Sequence, residues 1–494
     1  MNDAPSDDSA SADAPPGDDS RTLSFRSRVE APVRTLFRWH GERGAFERLI
    51  PPWESVTLQK HEGIRDGQEA VMRVGLGGPF SKKWVAEHEN YKENRRFRDV
   101  QRKGPFKSWR HTHHFKEDGA EASFLDDEIE YDLPFGGLGR MFGERIKKRI
   151  KRQFAYRHRV TRNDVTAHHR YGRNRTLRVA ISGSTGLIGS ALVPYLRAGG
   201  HEVIRMVRSE SDKKKYDEAI LWDYNRGRIE ADKLEGLDAV IHLAGENVVA
   251  FKWSEAKKME MFQSRVRGTE FVSETLADLD DPPDAFLSAS AVGIYGDQGE
   301  KRLSEDDELG EGGFLTAVCR EWEQATRPAA EAGIRTVPLR IGVVLARAGG
   351  ALPLMLLPFQ LGLGGRVGKA EQYVPWIALD DVLKGAYHVL ATPEIDGPVN
   401  LSAPEPVTSD TFAQTLAGVL NRPSFLNLPA PLARLLLGDA AEEFVLKSAR
   451  VVPKKLKNTG YRFLYSNLEN ALRHQLGRTT ETRLRKKEEE RVPA

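Results

Sequence analysis

The chain has 494 residues, which is too long for one ordinary hydrophobic core, so we expect two or three domains. Lysine plus arginine number 74 and aspartate plus glutamate 71, and this near balance gives no argument for a nucleic-acid or membrane-surface partner. The single cysteine, Cys319, excludes a disulfide framework and a multi-cysteine metal site. Because no apolar run reaches about 18 residues, we expect no membrane span. The single cysteine suits a reducing compartment, and we expect a cytoplasmic protein.

Both ends of the chain are polar. Residues 1–21 are acidic and small, without the basic start and apolar stretch of a signal peptide, and they predict a disordered tail. Residues 476–494 are dense in charge and predict a second, solvated tail.

Residues 22–165 alternate apolar and polar side chains in stretches such as "LSFRSRVEAP" and "EASFLDDEIEYDLP", which predicts half-buried strands of an antiparallel sheet. After a helical segment near 31–50 and several strands comes a basic stretch with an apolar residue every fourth position. Phe142, Ile146 and Ile150 begin this stripe, and Phe154 follows. The spacing predicts a long closing helix, and it favours a solvated basic face over one that contacts acidic lipid headgroups.

This order of elements, with the turn "EYDLPFGGLG" into the helix, resembles the START-like, polyketide-cyclase-type helix-grip fold. The resemblance implies an α+β domain over 22–165 whose curved sheet wraps a long helix around an apolar cavity. It also implies a hydrophobic small molecule as a ligand of this domain.

The segment "WRHTHHF" places Trp109, His111, His113 and Phe115 on one face of a strand. Two histidines at this spacing are candidate metal ligands, but the neighbouring sequence offers no third ligand. We therefore expect a polar cavity lining or an exposed strand face, and no metal.

Residues 166–176 are polar and aperiodic and predict a linker. Beyond them, short apolar runs such as "RVAIS", "DAVIHLAG" and "AFLSASA" alternate with helical stretches. This alternation predicts a doubly wound parallel sheet. We assign 177–400 to a Rossmann domain and 401–475 to a small C-terminal domain.

The stretch "RVAISGSTGLIGSALVPYLRAGGHEVIRMV" has three glycines between a buried strand and a helix, with a second strand following. Gly183 and Gly186 allow a tight turn and a close approach to a pyrophosphate, which the helix N-terminus attracts. Gly189 allows the helix to pack closely on the sheet. We assign the whole loop to the cofactor: Gly183, Ser184, Thr185, Gly186, Leu187, Ile188 and Gly189.

The second strand indicates which dinucleotide binds. Where NAD-binding domains carry an acid for the ribose hydroxyl, this chain has Arg208 and Ser209, with Arg205 nearby. A cation there matches a 2′-phosphate, so NADP is favoured over NAD. Trp222 and Asp223 are candidate neighbours of the adenine, with Trp222 equally compatible with a place in the core.

Residues from about 177 to 475 resemble the extended short-chain dehydrogenase/reductase superfamily, in its nucleoside-diphosphate-sugar epimerase-like branch. The matching segments include "ISGSTGLIGSAL", "DAVIHLAGENV", "SASAVGIYGD" and "WIALDDV". The resemblance implies that Leu243, Ala244 and Gly245 lie along the cofactor beyond the pyrophosphate. It also implies that Ser290 matches the catalytic hydroxyl, with a small residue at a strand end as the alternative.

Two positions depart from this family pattern. Active members carry Tyr-x-x-x-Lys after the serine, whereas "GEGGFLTAVCREWEQA" has neither residue and Phe314 cannot shuttle a proton. Tyr295 is the nearest tyrosine and the second catalytic candidate, although in relatives it chiefly forms a turn. A histidine is expected where this chain has Ala378.

Cofactor binding is therefore better supported than catalysis. We expect an NADP(H)-binding epimerase- or reductase-like protein that acts on a small molecule, with a hydrophobic ligand in the N-terminal domain. The alternatives are a non-catalytic NADP(H) sensor and a carrier of a hydrophobic ligand.

Overall fold

A computed structural model of the protein describes residues 21–77, 80–134, 136–172, 175–248 and 253–478. The two predicted tails lie outside these residues, apart from a few positions at their inner ends. The described chain divides into two compact units, and its short early segments belong to both. The first unit comprises 21–28, 32–37 and 55–151, and the second comprises 29–31, 38–54 and 152–478.

A seven-stranded sheet with the order β1-β7-β6-β5-β4-β3-β2 forms the N-terminal architecture. Strands β2 to β7 follow one another as antiparallel neighbours. The predicted antiparallel sheet and its long closing helix are confirmed. The strands are β1 (Arg21–Val29), β2 (Val56–His61), β3 (Glu69–Gly77), β4 (Phe80–Lys92), β5 (Arg96–Lys103), β6 (Ser108–Glu117) and β7 (Ser123–Asp132), and the helices are α1 (Val33–Gly41), α2 (Ala45–Arg48) and α3 (Gly136–Gly172).

Helix α3 continues through residues 166–172, most of the stretch predicted as a linker, so these residues are helical rather than aperiodic. The reason is that polar residues carry part of its buried stripe. Thr161, Asp164 and His168 are 1%, 3% and 7% exposed and lie beside buried Val165. Their spacing of three and four residues is helical, but a search for apolar periodicity does not register it.

An eight-stranded sheet with the order β11-β10-β9-β8-β12-β13-β15-β19 forms the core of the second unit. All neighbours in it are parallel except β10 and β11, which confirms the predicted doubly wound sheet. The strands after β7 are β8 (Arg178–Ser182), β9 (Glu202–Val207), β10 (Ala219–Asp223), β11 (Arg228–Ile229), β12 (Ala239–His242), β13 (Ala285–Ala291), β14 (Arg302–Leu303), β15 (Arg335–Ile341), β16 (Val343–Leu345), β17 (Tyr373–Val374), β18 (Trp376–Ala378), β19 (Val399–Leu401), β20 (Val407–Thr408) and β21 (Arg450–Val451).

Helices cover this sheet and continue beyond it. They are α4 (Leu187–Ala198), α5 (Glu210–Lys213), α6 (Glu255–Ala277), α7 (Phe314–Gln324), α8 (Arg327–Glu331), α9 (Ala351–Gln360), α10 (Leu379–Ala391), α11 (Ser409–Leu420), α12 (Ala430–Leu437), α13 (Lys454–Asn458) and α14 (Leu468–Gln475). Within the described ranges, no helix is both long and apolar enough to cross a lipid bilayer.

The central strands are apolar along their whole length because both faces of the sheet are covered. Val179, Ile181 and Ile241 are at most 1% exposed and face one core, whereas Ala180 and Val240 face the other. With its faces buried, the sheet offers a ligand the loops at the ends of its strands.

Candidate functional site

The glycine loop between β8 and α4 fits its surroundings only without side chains at two positions. Gly183 has a φ of 64°, and a Cβ there would lie 2.7 Å from the backbone carbonyl of Leu243. A Cβ on Gly189 would lie 2.3 Å from the carbonyl oxygen of Gly183. Both separations are far below van der Waals contact. The loop therefore packs directly on the end of β12 and on the first turn of α4.

The first turn of α4 is free of a side-chain cap at its N-terminus, because the N-cap residue is Gly186. Amides in the first turn of a helix have no partner within the helix, and the helix dipole adds partial positive charge. This turn is therefore a suitable place for a phosphate group.

A cavity of about 250 Å³ opens above the loop, at the carboxyl ends of four parallel strands. Nine of the predicted cofactor residues line it. Its lining comprises Gly183, Ser184, Thr185, Gly186, Met206, Val207, Arg208, Asp212, Trp222, Tyr224, Leu243, Ala244, Gly245 and Ser264.

The other predicted cofactor residues have different positions. Leu187, Ile188 and Gly189 form the first turn of α4. Ser209 is the N-cap of α5 and accepts from the backbone N–H of Asp212. Asp223 ends β10 and accepts from the backbone N–H two residues later.

Five wall residues were missed in the sequence. Met206 and Val207 end β9, Asp212 lies in α5, and Tyr224 follows β10. These four are within a few positions of predicted residues, and the strand ends give a signal that could have found them. Ser264 comes from α6, and the sequence has no local signal for it beyond the family resemblance of its segment.

The two arginines of the second strand have different surroundings. The Arg205 guanidinium donates to the backbone carbonyl of Ser184 at 2.7 Å and stacks on the Tyr216 ring. Arg205 thus braces the glycine loop, whereas Arg208 lines the cavity itself. Asp212 is the acid in the cavity lining, and its carboxylate is paired with Lys215 at 2.6 Å.

The Ser182 side chain ties the ends of β8 and β12 together beside the cavity. The Ser182 hydroxyl accepts from the backbone N–H groups of Leu243 and Ala244 at 3.2 and 3.3 Å. The same oxygen lies 2.8 Å from Nδ1 of His242, whose pKa burial lowers to about 3. A neutral, buried imidazole therefore helps to hold the strip Leu243–Ala244 in place.

The two catalytic candidates, Ser290 and Tyr295, share one buried hydrogen-bond network. Ser290 donates to the Glu323 carboxylate at 2.7 Å, and the Arg340 guanidinium binds both oxygens of that carboxylate at 2.9 Å. Arg340 also donates to the Tyr295 hydroxyl at 2.9 Å, and this hydroxyl is 2.9 Å from the Asn400 side-chain oxygen. Burial raises the pKa of Tyr295. The network gives both hydroxyls partners within the fold.

Helix α7 occupies the place of the missing Tyr-x-x-x-Lys pair. Its first residue, Phe314, and the residue four positions later, Val318, are apolar, and Val318 is 2% exposed. The Glu443 carboxylate caps the helix by accepting from the backbone N–H groups of Phe314 and Leu315 at 3.0 and 3.1 Å. Burial raises the pKa of Cys319, in the same helix, to about 12. The pair therefore has no replacement within α7.

Two further predicted positions lie in the core. Trp222 is 1% exposed, packs in the core and also lines the cavity. Ala378, which stands where the family pattern has histidine, is fully buried as the N-cap of α10.

A doubly wound sheet with a glycine cradle at its carboxyl edge defines a Rossmann-type dinucleotide-binding protein. The family described as the NAD dependent epimerase/dehydratase family matches residues 179–401. Residues 29–159 match the family described as polyketide cyclase / dehydrase and lipid transport, and residues 428–475 match a domain of unknown function, DUF1731.

Curated relatives are similar over the second part of the chain. Epimerase family protein Mb2239 of Mycobacterium bovis is 40% identical over 294 residues, which are 60% of this chain and 96% of the relative. The human epimerase family protein SDR39U1 is 34% identical over 299 residues, covering 60% of this chain and 99% of the human protein. The chain belongs to this epimerase family, and the predicted resemblance is confirmed.

Two solved structures are similar as well. The nucleoside-diphosphate sugar epimerase from Corynebacterium glutamicum has a TM-score of 0.76 at 30% identity, covering 96% of this chain and 94% of that one. Human SDR39U1 (isoform 2), crystallised with NADPH, has a TM-score of 0.55 at 33% identity, covering 60% of this chain and 98% of the human chain.

Proposed function

We propose that the second unit binds NADP(H) in the cavity above the glycine loop and that the protein acts on a small molecule there. This proposal rests on the close approach of backbone atoms around Gly183 and Gly189, where a Cβ would lie within 2.7 Å of a neighbouring carbonyl. Backbone that approaches this closely, at a helix N-terminus, fits a pyrophosphate. The NADPH in the structure of human SDR39U1 supports the same cofactor.

Arg208 would hold the 2′-phosphate, since it lines the cavity at the end of β9. Its rival is Asp212, because an acid in this region is what an NAD-binding domain uses for the ribose hydroxyl. Asp212 is already engaged by Lys215 and by the Ser209 hydroxyl, at 2.6 and 2.7 Å. Because Asp212 already has these partners, Arg208 is the better candidate to contact the ribose, and a guanidinium there favours the 2′-phosphate of NADP.

Nicotinamide, when bound, supplies hydride transfer. The chain's own contribution would be positioning: Leu243, Ala244 and Gly245 form the wall beyond the pyrophosphate, held by Ser182. A proton for the substrate would have to come from a group other than a Tyr-x-x-x-Lys pair, such as the substrate itself or a water. The Ser290 hydroxyl remains our candidate for contacting the reacting oxygen.

Calorimetric titration with NADPH and NADH tests the cofactor. We expect the full chain to prefer NADPH by at least about tenfold, and Arg208→Asp to abolish that preference. Asp212→Asn should keep it. Lys214→Asp makes the same change in charge at an exposed position two residues from Asp212 and is the matched control. An unchanged preference in Arg208→Asp would show that the assignment of Arg208 is wrong.

A second candidate function is non-catalytic sensing of NADP(H). Two observations favour it. Phe314 and Val318 in α7 stand where the family pattern has its tyrosine and lysine, and the Tyr295 hydroxyl is hydrogen-bonded to Asn400. Oxidation of NADPH with a panel of carbonyl compounds and nucleotide sugars separates the two. Turnover that Ser290→Ala abolishes, with NADPH binding intact, supports the enzyme, whereas binding without turnover across the panel supports the sensor.

We propose further that the antiparallel sheet belongs to a domain that takes a hydrophobic small molecule, as its family match suggests. The aromatic rings of Phe37, Phe97 and Phe115 pack together at 5.0 to 6.3 Å between centroids and give this region an apolar face. Native mass spectrometry of the protein purified from cells is the test. A retained apolar molecule is expected, and a mass equal to the bare chain after gentle purification would contradict a tightly held ligand.

A further inference from the structure

Four polar side chains meet on one face of the antiparallel sheet. His111 and His113 lie two residues apart on β6. In the register of the sheet Asp99 on β5 is directly opposite His111, and Asp127 on β7 is directly opposite His113. His111, His113 and Asp127 are 2%, 7% and 4% exposed. Three neighbouring strands thus place two imidazoles and two carboxylates together, with Asp99 18% exposed and the other three side chains buried.

Each imidazole presents one nitrogen to each carboxylate. His111 Nδ1 and His113 Nε2 lie 2.9 and 3.9 Å from the same oxygen, Oδ1 of Asp99. The opposite ring nitrogens face Asp127, with His113 Nδ1 at 2.8 Å and His111 Nε2 at 3.5 Å. The Trp109 indole N–H donates to the other Asp99 oxygen, Oδ2, at 3.3 Å. Oδ1 of Asp99 is thereby turned toward the two imidazoles.

This arrangement has the two shells of a protein metal site. One carboxylate oxygen and two imidazole nitrogens lie within 4.8 Å of one another, and that donor set suits divalent first-row transition metals. In such sites the other nitrogen of a ligating histidine donates to a carboxylate, which fixes the ring and its tautomer. Asp127 stands in that place for both rings. A divalent cation would also balance the negative charge of the two carboxylates, of which Asp127 is 4% exposed.

We propose that Asp99, His111 and His113 bind one divalent transition-metal ion, and that Asp127 is a positioning residue for both histidines. The site is separate from the proposed cofactor cavity, since every one of its residues belongs to the first unit. The sequence offered the two histidines alone, because Asp99 reaches them from another strand.

The test uses the full-length chain, stripped with a chelator, and Zn²⁺ alone as the probe. After incubation and gel filtration, elemental analysis should find about one zinc ion per chain. His113→Ala and Asp99→Asn should each lower zinc affinity in a calorimetric titration by at least about tenfold. The matched control is His114→Ala, one position along on the opposite face of β6, which should bind zinc like the wild type. Equal losses in His113→Ala and His114→Ala, or zinc well below one per chain in the wild type, would overturn the proposal.

A spectroscopic measurement keeps the test independent of whether His113→Ala folds. Co²⁺ bound to the wild-type chain should give visible d–d absorption typical of nitrogen and oxygen ligands, and Zn²⁺ should displace it. Asp127→Asn keeps the size of the side chain and should weaken binding about 10- to 100-fold with unchanged stoichiometry. A Co²⁺ spectrum identical to that of the free aqueous ion would overturn the proposal, as would an Asp127→Asn affinity equal to the wild type.

Discussion

The parallel sheet and the antiparallel sheet of this protein build their candidate sites from different materials. At the edge of the parallel sheet the cavity rests on a glycine loop, and closely packed backbone makes its floor. On the face of the antiparallel sheet the cluster of Asp99, His111, His113 and Asp127 is made by side chains in the middle of strands. The difference follows from topology: parallel strands bring their ends together, whereas antiparallel neighbours bring alternate side chains together.

We expect the two sites to respond in opposite ways to substitutions that add or remove atoms. A site made of backbone should fail when an atom is added to it, and a site made of side chains should fail when atoms are removed. Four experiments bear on this rule, beginning with the largest expected effect.

The first experiment asks whether a cluster of side chains in the second unit is also sensitive to the removal of atoms, as the rule predicts for the cluster in the first unit. In the second unit Arg48 binds the buried carboxylates of Asp164 and Asp380 at 2.7 and 3.2 Å. Arg48→Met removes the cation and leaves both carboxylates buried, so we expect a loss of about 3–5 kcal/mol in the free energy of unfolding by urea. Arg327→Met breaks an exposed pair with Glu331 and should cost under about 1 kcal/mol. Equal losses in the two variants would contradict the rule.

The second adds one carbon atom to the glycine cradle. In Gly189→Ala the new Cβ would meet the Gly183 carbonyl oxygen at 2.3 Å, so the loop must shift. We expect the free energy of unfolding to fall by about 1–3 kcal/mol and NADPH affinity to fall by at least about tenfold. Gly418→Ala is the control, because Gly418 is also helical and a Cβ there meets no atom within 4 Å. It should be neutral or slightly stabilising, as helix propensity dictates.

The third removes one oxygen from the network at the end of β13. In Tyr295→Phe, Arg340 keeps both bonds to Glu323, but the buried Asn400 oxygen loses a donor, so the expected cost is about 1–2 kcal/mol in urea unfolding. NADPH affinity should stay within about twofold of the wild type if Tyr295 is structural. A tenfold loss of affinity with unchanged stability would instead assign Tyr295 to the cofactor.

The fourth experiment uses the chain without substitution and measures how accessible Cys319 in α7 is to a reagent in solution. The pKa of the Cys319 thiol, raised to about 12 by burial, leaves little thiolate at pH 8, and the side chain is 3% exposed. Alkylation by iodoacetamide should therefore be slow in the native protein and fast in urea. Because the thiolate fraction rises with pH below this pKa, the native rate should increase with pH. Native and unfolded rates that agree at pH 8 would show that α7 opens readily.

The proposed domain boundaries, 22–165 and 177–400, divide the chain differently from its contacts. Residues 38–54 and the end of α3 belong with the second unit, where Arg48 binds both Asp164 and Asp380. A deletion of residues 1–170 would remove Arg48 and leave Asp380 without its guanidinium partner. Each compact unit is built from segments that alternate along the chain. Boundaries drawn from composition assume continuous segments and therefore miss this alternation.

Local patterns carried most of what could be predicted. Strands β8 and β13 have the residues that their apolar runs predict, because burial on both faces demands unbroken apolar sequence. The end of α3 could not be predicted in this way. Its buried stripe includes Asp164, an acid that is stable there only because Arg48 meets it at 2.7 Å.

The amino-acid sequence by itself determined the two sheets and the glycine loop, and it is the source of the proposal that Arg208 holds a 2′-phosphate, since each of these depends on residues close together in the chain. Only the tertiary structure decided which distant groups meet. It placed Ser264 in the cavity wall, joined Ser290 to Tyr295 through Glu323 and Arg340, and brought Asp99 to His111. These contacts between distant residues are fixed by strand register and helix packing, and both depend on how much apolar surface the whole fold buries.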